Sequence, residues 1–206
     1  MYWAEFLTIA IAHLFAVASP GPDFAIVTRQ SVMAGTRIGI WTSLGVGTGI
    51  LVHVSYCILG VALLLSRSEQ LFNLMKYVAA AYLCFLGIQS IRASMKPQQA
   101  ATSASMVSAL PSRAFWSGFL TNGLNPKATL FFLALFTVVI DINTPTWIQI
   151  AYGLYLALAT FLWFALLSSI LGRQQVRDFM LSAGVWFERG MGIILLFLAI
   201  QIVIYA

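Results

Sequence analysis

Two opposite charges lie inside long apolar stretches of this sequence. Asp23 ends the motif SPGPD at residues 19–23, and Lys127 ends the motif NPK at residues 125–127. If these stretches cross a membrane, each charge costs about 2.5–3.5 kcal/mol on insertion scales, so such residues normally face a cavity, a partner or water. A proline beside each charge removes a backbone hydrogen bond and frees polar backbone groups for a ligand. The two motifs therefore predict a site that combines one acid with one base.

The chemistry of such a site suits a zwitterion, with an ammonium group on Asp23 and a carboxylate group on Lys127. The other acidic residues are expected near helix ends or in loops; these are Glu5, Glu69, Asp141, Asp178 and Glu188. Because no second acid is predicted inside the membrane, a neutral amino acid is favoured over a dibasic one. The alternative is a structural ion pair between Asp23 and Lys127 that locks two bent helices together. Breaking of this ion pair when a ligand binds would act as a gate.

Amide side chains accompany the base. Asn122 and Asn125 lie shortly before Lys127 in the sequence and are predicted to add donors and acceptors to the substrate site. Hydrogen bonding between helices, worth about 1 kcal/mol, explains these two asparagines equally well. The breaks in the two helices are assigned to Pro20, Gly21, Pro22 and Pro126.

Two histidines also fall within apolar stretches. Histidine titrates near neutrality, so either His13 or His53 could carry a coupling proton. His13 precedes Asp23 on the same predicted helix, and these two residues are the candidates for proton coupling. The plainer interpretation of each histidine is a neutral, hydrogen-bonded packing residue. No metal site or cofactor is expected, because forty residues separate the histidines and no third ligand has suitable spacing.

The second apolar stretch contains glycine at three alternate positions. Gly45, Gly47 and Gly49 resemble part of a nucleotide-binding loop, but no strand precedes them and no phosphate-binding context surrounds them. Small residues at helix interfaces allow two backbones to approach closely in a membrane. The glycines are therefore predicted to serve helix packing.

The composition places the chain in lipid. Of its 206 residues, 61% are hydrophobic and 8% are charged, against about 45–50% apolar and about 25% charged residues in a soluble domain. The net charge of +5 is scattered between apolar stretches, without a basic patch that interleaves aromatic residues. Nucleic acid is therefore not an expected partner, and the lipid bilayer is.

Apolar stretches of about 20 residues, long enough to span the bilayer, predict an all-α integral membrane protein with six transmembrane helices. They are placed at 3–28, 38–65, 72–91, 114–140, 146–171 and 187–205, with the first and fourth interrupted at the proline motifs. Loops one, three and five carry eight cationic residues: Arg29, Arg37, Arg92, Lys96, Arg113, Arg173, Arg177 and Arg189. Loops two and four carry only Arg67 and Lys76. This bias predicts cytoplasmic odd-numbered loops and two outward-facing termini.

The two halves of the chain resemble each other. The proline motifs occupy equivalent places, and the segment LCFLGIQ at 83–89 resembles LLFLAIQ at 195–201. Three helices per half would make the second half enter the membrane from the opposite side, which defines a 3+3 inverted repeat. The predicted units are a first repeat at 1–91, a cytoplasmic linker at 92–113 and a second repeat at 114–206. In such transporters the broken helices of the two repeats meet at the substrate site.

The paired motifs at 19–23 and 121–127 resemble those of the lysine exporter (LysE) family, and most of all its threonine and homoserine efflux branch. The resemblance spans the whole chain and implies a non-enzymatic exporter of neutral amino acids in a bacterial-type inner membrane. It also implies proton antiport. Its motifs align with the substrate-binding residues and the helix-breaking residues named above, so the resemblance implies these roles for them. A divalent-cation or other small-solute exporter is the alternative, and an intramembrane enzyme is a weaker one. A homodimer is compatible with a bundle of this size.

Overall fold

The computed structural model describes residues 2–67, 69–95, 110–141, 143–171 and 174–205. Within these ranges the chain forms eight α-helices: α1 (Tyr2–Ala18), α2 (Pro22–Ala34), α3 (Thr36–Arg67), α4 (Glu69–Ala93), α5 (Pro111–Gly123), α6 (Pro126–Ala134), α7 (Thr146–Ile170) and α8 (Gln174–Tyr205). A π-helical segment, Leu135–Val139, continues α6. The described residues contain no β-strand, and the predicted all-α fold is confirmed.

Several helices have the length and composition of membrane crossings. Thr36–Gly60, Thr146–Ile170 and Ala183–Gln201 each qualify, and α1 with α2 forms a fourth candidate that is bent by 54°. Along α7 the exposed leucines recur every four residues, as Leu154, Leu158, Leu162 and Leu166. A soluble protein rarely exposes so continuous an apolar surface, so this stripe faces lipid. The chain is therefore a multi-pass membrane protein, and crossings at 72–91 and 114–140 stay predictions.

The breaks predicted in the first and fourth helices are present, between Ala18 and Pro22 and between Gly123 and Pro126. The largest differences from the predicted boundaries lie at two places. The half-helix after the first break continues to Ala34 instead of 28. The last helix begins at Gln174 instead of 187, because the charged residues that indicated a loop are tolerated within it. Arg189 is one of these: its Nε donates to Ser94 Oγ at 3.3 Å, and its guanidinium lies 5.0 Å from the Trp186 ring.

The predicted linker lies largely outside the described residues. The helix α4 ends at Ala93 and α5 begins at Pro111, whereas residues 96–109 are not described. Two cations that contribute to the charge bias, Lys96 and Arg173, also lie outside the described ranges.

Glycine allows the closest helix contacts, as the sequence predicted. The helix α3 packs against α5 and α7, while α4 packs against α8. A Cβ atom on Gly45 would overlap the carbonyl oxygen of Phe115, and one on Gly118 would overlap that of Thr42. The backbones of α3 and α5 are therefore in direct contact, which fixes the end of α5 that carries Asn122.

Two hydrophobic clusters support the broken helices. One surrounds the π-helical segment and includes Phe132, Leu135, Leu156 and Leu198 from four parts of the chain. The other joins α2 to α3 and α7 and includes Val27, Val46 and Phe164. Because interiors are close-packed, these contacts hold the half-helices in place against the rest of the bundle.

Candidate functional site

The helix α2 begins directly at the first charge. Pro22 occupies its first turn, where a missing N–H removes no helical hydrogen bond. The preceding helix α1 ends at Ala18, and the N–H of the next residue, Ser19, still donates to Phe15 O at 3.0 Å. Asp23 therefore lies at a helix N-terminus, where the helix dipole stabilises a carboxylate.

The helix α6 begins in the same way at the second charge. Pro126 is in its first turn, and the Oδ1 atom of Asn125 caps the helix by accepting from the N–H of Lys127 at 3.0 Å. A cation at this position opposes the helix dipole. Helix formation thus explains Pro126 and Asn125 but not Lys127, which indicates a role for its charge beyond folding.

Two asparagine side chains hold the carboxylate of Asp23. Asn122 Nδ2 donates to Asp23 Oδ2 at 2.9 Å, and Asn125 Nδ2 donates to the same oxygen at 3.1 Å. The other carboxylate oxygen, Asp23 Oδ1, is buried and has no hydrogen-bond partner. Asn122 Oδ1 is buried and unpartnered as well. Two acceptor oxygens that an incoming donor could use therefore remain at the site.

Lys127 has partners of its own on the broken segment between α1 and α2. Its Nζ atom donates to Ser19 Oγ at 2.7 Å and to Pro20 O at 3.4 Å. The hydrogen bonds of Nζ therefore go to neutral oxygens, while those of the Asp23 carboxylate come from amides. The alternative of a direct Asp23–Lys127 ion pair stays a prediction.

A cavity of about 50 Å³ joins these groups. Its polar lining consists of His13, Ser19, Asp23, Asn122, Asn125, Lys127 and Thr160. Apolar side chains line the remainder, among them Phe24, Ile50 and Phe164. The structure therefore brings all four predicted substrate residues to one cavity, together with His13.

The two histidines have different surroundings. His13 is buried and its Nε2 atom is 2.8 Å from Thr160 Oγ1 on α7. His53 does not line this cavity; its Nε2 atom is 3.0 Å from the carbonyl oxygen of Asn122, and its ring stacks on Phe132 at 5.5 Å. His53 therefore positions the backbone that carries Asn122.

Sequence reasoning missed two contributions to this geometry. A Cβ atom on Gly49 would lie 2.7 Å from Asn122 Oδ1, so this glycine makes room for the side chain that holds Asp23. Its place in the glycine run at 45–49 suggested packing but not which residue it packs against. Ser19 was noticed only as part of the proline motif, and its hydroxyl proves to be the nearest acceptor of the Lys127 ammonium group.

One expectation about acidic residues is wrong. Glu188 was placed near a helix end, yet it lies well inside α8, within the candidate crossing Ala183–Gln201. Its Oε2 atom is buried and unpartnered. A second acid therefore lies within a candidate crossing, close to its end at Ala183, because α8 starts thirteen residues before position 187, where the sequence predicts its start.

Comparisons with known proteins agree with the motifs. Residues 14–206 match the family described as LysE type translocator. The chain is 31% identical over 173 residues to the threonine efflux protein of Escherichia coli (strain K12), covering 84% of each chain. It is 33% identical over 147 residues to the leucine efflux protein of Salmonella choleraesuis (strain SC-B67), covering 70% of this chain and 65% of the relative. No solved structure matches the chain significantly.

The family match includes both proline motifs and both charges. It spans residues 14–206, so it extends from within α1 to the end of α8. The two similar relatives match over 84% and 70% of this chain and are efflux proteins by description. The chain belongs to the LysE family of translocators.

Proposed function

We propose that this protein exports neutral amino acids and exchanges them for protons. The observation that carries the proposal is that Asp23 and Lys127 line one cavity and have separate hydrogen-bond partners. Asp23 Oδ1 and Asn122 Oδ1 are buried acceptors without partners, and Lys127 uses two acceptors for its three N–H groups. An ammonium group can bind the first pair of oxygens and a carboxylate group the remaining N–H of Lys127.

The substrate class follows from the lining of the cavity and from the relatives. The walls away from the charged groups are apolar, with Val17, Phe24, Ile50 and Phe164, which favours a side chain without charge. Two similar relatives are described as threonine and leucine efflux proteins. These observations support a neutral amino acid of the threonine or homoserine type.

Competition for one oxygen would couple transport to protons. Asp23 Oδ1 can hold a proton or accept from a substrate ammonium group, but not both at once. Binding of either therefore releases the other, which is the requirement for exchange in opposite directions. His13 is the second candidate for the coupling group, because its ring lines the same cavity and titrates near neutrality in its unperturbed form.

The cavity must widen for a substrate to bind. Its volume of about 50 Å³ holds only about three to five water molecules at 10–15 Å³ each. Rocking of one three-helix repeat against the other would open it alternately to each side. The order of elements supports such a repeat, since a broken helix followed by two long helices occurs in α1–α4 and again in α5–α8.

The proposed architecture consists of two repeats and the linker between them. Six crossings form two inverted repeats, 1–91 and 114–206, joined by a linker at 92–113. The protein lies in a bacterial-type inner membrane as a monomer or homodimer, with cytoplasmic odd-numbered loops and outward-facing termini. Transport of divalent cations and intramembrane catalysis are the competing functions. Lys127 opposes the first, because a buried ammonium group repels a cation.

Efflux assays with purified protein in proteoliposomes test the proposal. The Asp23→Asn variant keeps a carbonyl oxygen for Asn122 and Asn125 but converts the free oxygen into an NH₂ donor, which repels an ammonium group. We expect the variant to fold and to lose pH-driven exchange of labelled threonine and leucine. Asp141→Asn, at an exposed loop carboxylate, is the matched control. Wild-type exchange by Asp23→Asn would contradict the assignment.

A further inference from the structure

A second cavity adjoins the proposed substrate site. Its volume is about 260 Å³, close to the lower end of ligand pockets at about 300 Å³. Gln89 and Ser90 of α4, Lys127 of α6 and Glu188 of α8 form its polar lining, and Leu86 and Leu195 contribute to its apolar walls. In this conformation the second cavity is the larger of the two.

The acidic residue of this cavity has a buried carboxylate oxygen without a partner. Glu188 Oε2 accepts no hydrogen bond and is shielded from solvent. Ser90 Oγ donates at 2.9 Å to the backbone carbonyl of Glu188, so this contact does not involve the carboxylate. An ionisable side chain at membrane depth is costly unless it meets a partner or a ligand. None of these contacts therefore provides a hydrogen-bond donor for the buried Oε2 atom of Glu188.

Lys127 belongs to both cavities. Its side chain lines each of them, as does Gly21, where an added Cβ atom would lie 3.8 Å from Lys127 Nζ. The hydrogen bonds of Nζ go to Ser19 and Pro20. The base therefore stands between two acids, one in each cavity.

We propose that the second cavity is a second binding site for the same amino acid, in which Glu188 binds the α-ammonium group while Lys127 holds the α-carboxylate. This proposal rests on the proposed function. A substrate that moves between the cavities keeps its carboxylate on Lys127, which reaches both. Its ammonium group leaves Asp23 and passes the broken segment at residues 20–22 to reach Glu188. Two acids on either side of one base thus provide two successive positions for a zwitterion.

Protection of an introduced cysteine measures occupancy of the second cavity. Gln89→Cys places a thiol in its lining, in a background with alanine at the free cysteines Cys57 and Cys84. The rate of maleimide labelling is then measured against the concentration of threonine. Loss of a charge-assisted hydrogen bond should raise the half-protecting concentration about tenfold or more in Glu188→Gln. Asp23→Asn should raise it less, and Asp141→Asn should not change it.

The outcomes separate this proposal from the proposed function. Partial recovery of protection in Glu188→Asp, with an unchanged thermal midpoint of Glu188→Gln in detergent, would support a direct ammonium contact. Equal protection of the wild-type and Glu188→Gln backgrounds would overturn the second site and leave the proposed function intact. So would the absence of protection in a wild-type background that still exchanges threonine. If the wild-type protein exchanges no amino acid at all, both proposals are overturned.

Discussion

Replacing Gly49 by alanine tests how the site holds its acid, without removing any polar group. The added Cβ atom would lie 2.7 Å from Asn122 Oδ1 and 2.9 Å from Asn122 Cβ. Rotation about χ1 of Asn122 can remove the contact with Oδ1 but not the contact with Cβ, which the backbone holds in place. We therefore expect a small local shift between α3 and α5 together with a turn of the Asn122 side chain away from its present position.

The expected effect follows from the hydrogen bond that is lost. Asn122 Nδ2 donates to Asp23 Oδ2 at 2.9 Å, and a hydrogen bond to a charged group contributes about 1.5–3 kcal/mol. At 1.4 kcal/mol per factor of ten, the half-saturating concentration for amino-acid exchange should rise about 10- to 150-fold. The measurement is exchange of labelled threonine in proteoliposomes, alongside the thermal midpoint of the purified protein.

Gly60→Ala provides the matched control on the same helix. A Cβ atom at Gly60 would meet nothing within 4 Å, so this variant should exchange threonine like the wild type. A further comparison uses an Asn122→Gly background, which removes both atoms that the alanine approaches. Gly49→Ala should then cause little additional loss. An equal loss in that background, or wild-type exchange by Gly49→Ala alone, would refute the role assigned to the Asn122–Asp23 hydrogen bond.

Three further predictions concern the surrounding residues. His53→Ala loses the 3.0 Å contact with Asn122 O and should lower the free energy of unfolding in detergent by about 1–3 kcal/mol. His53→Gln should recover part of this loss, and an unchanged thermal midpoint of His53→Ala would contradict the prediction. Lys127→Met removes the carboxylate partner and should abolish threonine exchange in a protein that still folds, whereas retained exchange would exclude the proposed carboxylate site. His13→Gln can keep the contact with Thr160, so a pH jump should still drive exchange in this variant. Loss of pH-driven exchange would instead assign the coupled proton to His13.

The sequence predicts those parts of the site that are determined by residues close to each other in the chain. A proline at the first turn of a helix acts within a few residues, so the breaks before Pro22 and Pro126 could be located from the motifs alone. The acid and the base at those breaks, and the family, followed from the same residues. Overall composition was sufficient to place the chain in a membrane.

Partners that are distant in the sequence could not be predicted in this way. Which oxygens Lys127 contacts depends on the packing of α1 against the second half of the chain, since Ser19 lies 108 residues away. The glycine run predicted close packing, but only the contact between α3 and α5 identifies Gly49 as the residue beside Asn122.

The sequence by itself therefore determined the class of the protein, the two broken helices and the opposite charges at their ends. The tertiary structure decided how those charges are hydrogen-bonded: Asp23 by two amides and Lys127 by neutral oxygens. It also brought Glu188 to the second cavity beside Lys127. The physical reason is that helix breaks depend on neighbouring residues, whereas side-chain partners depend on which faces of distant helices pack together.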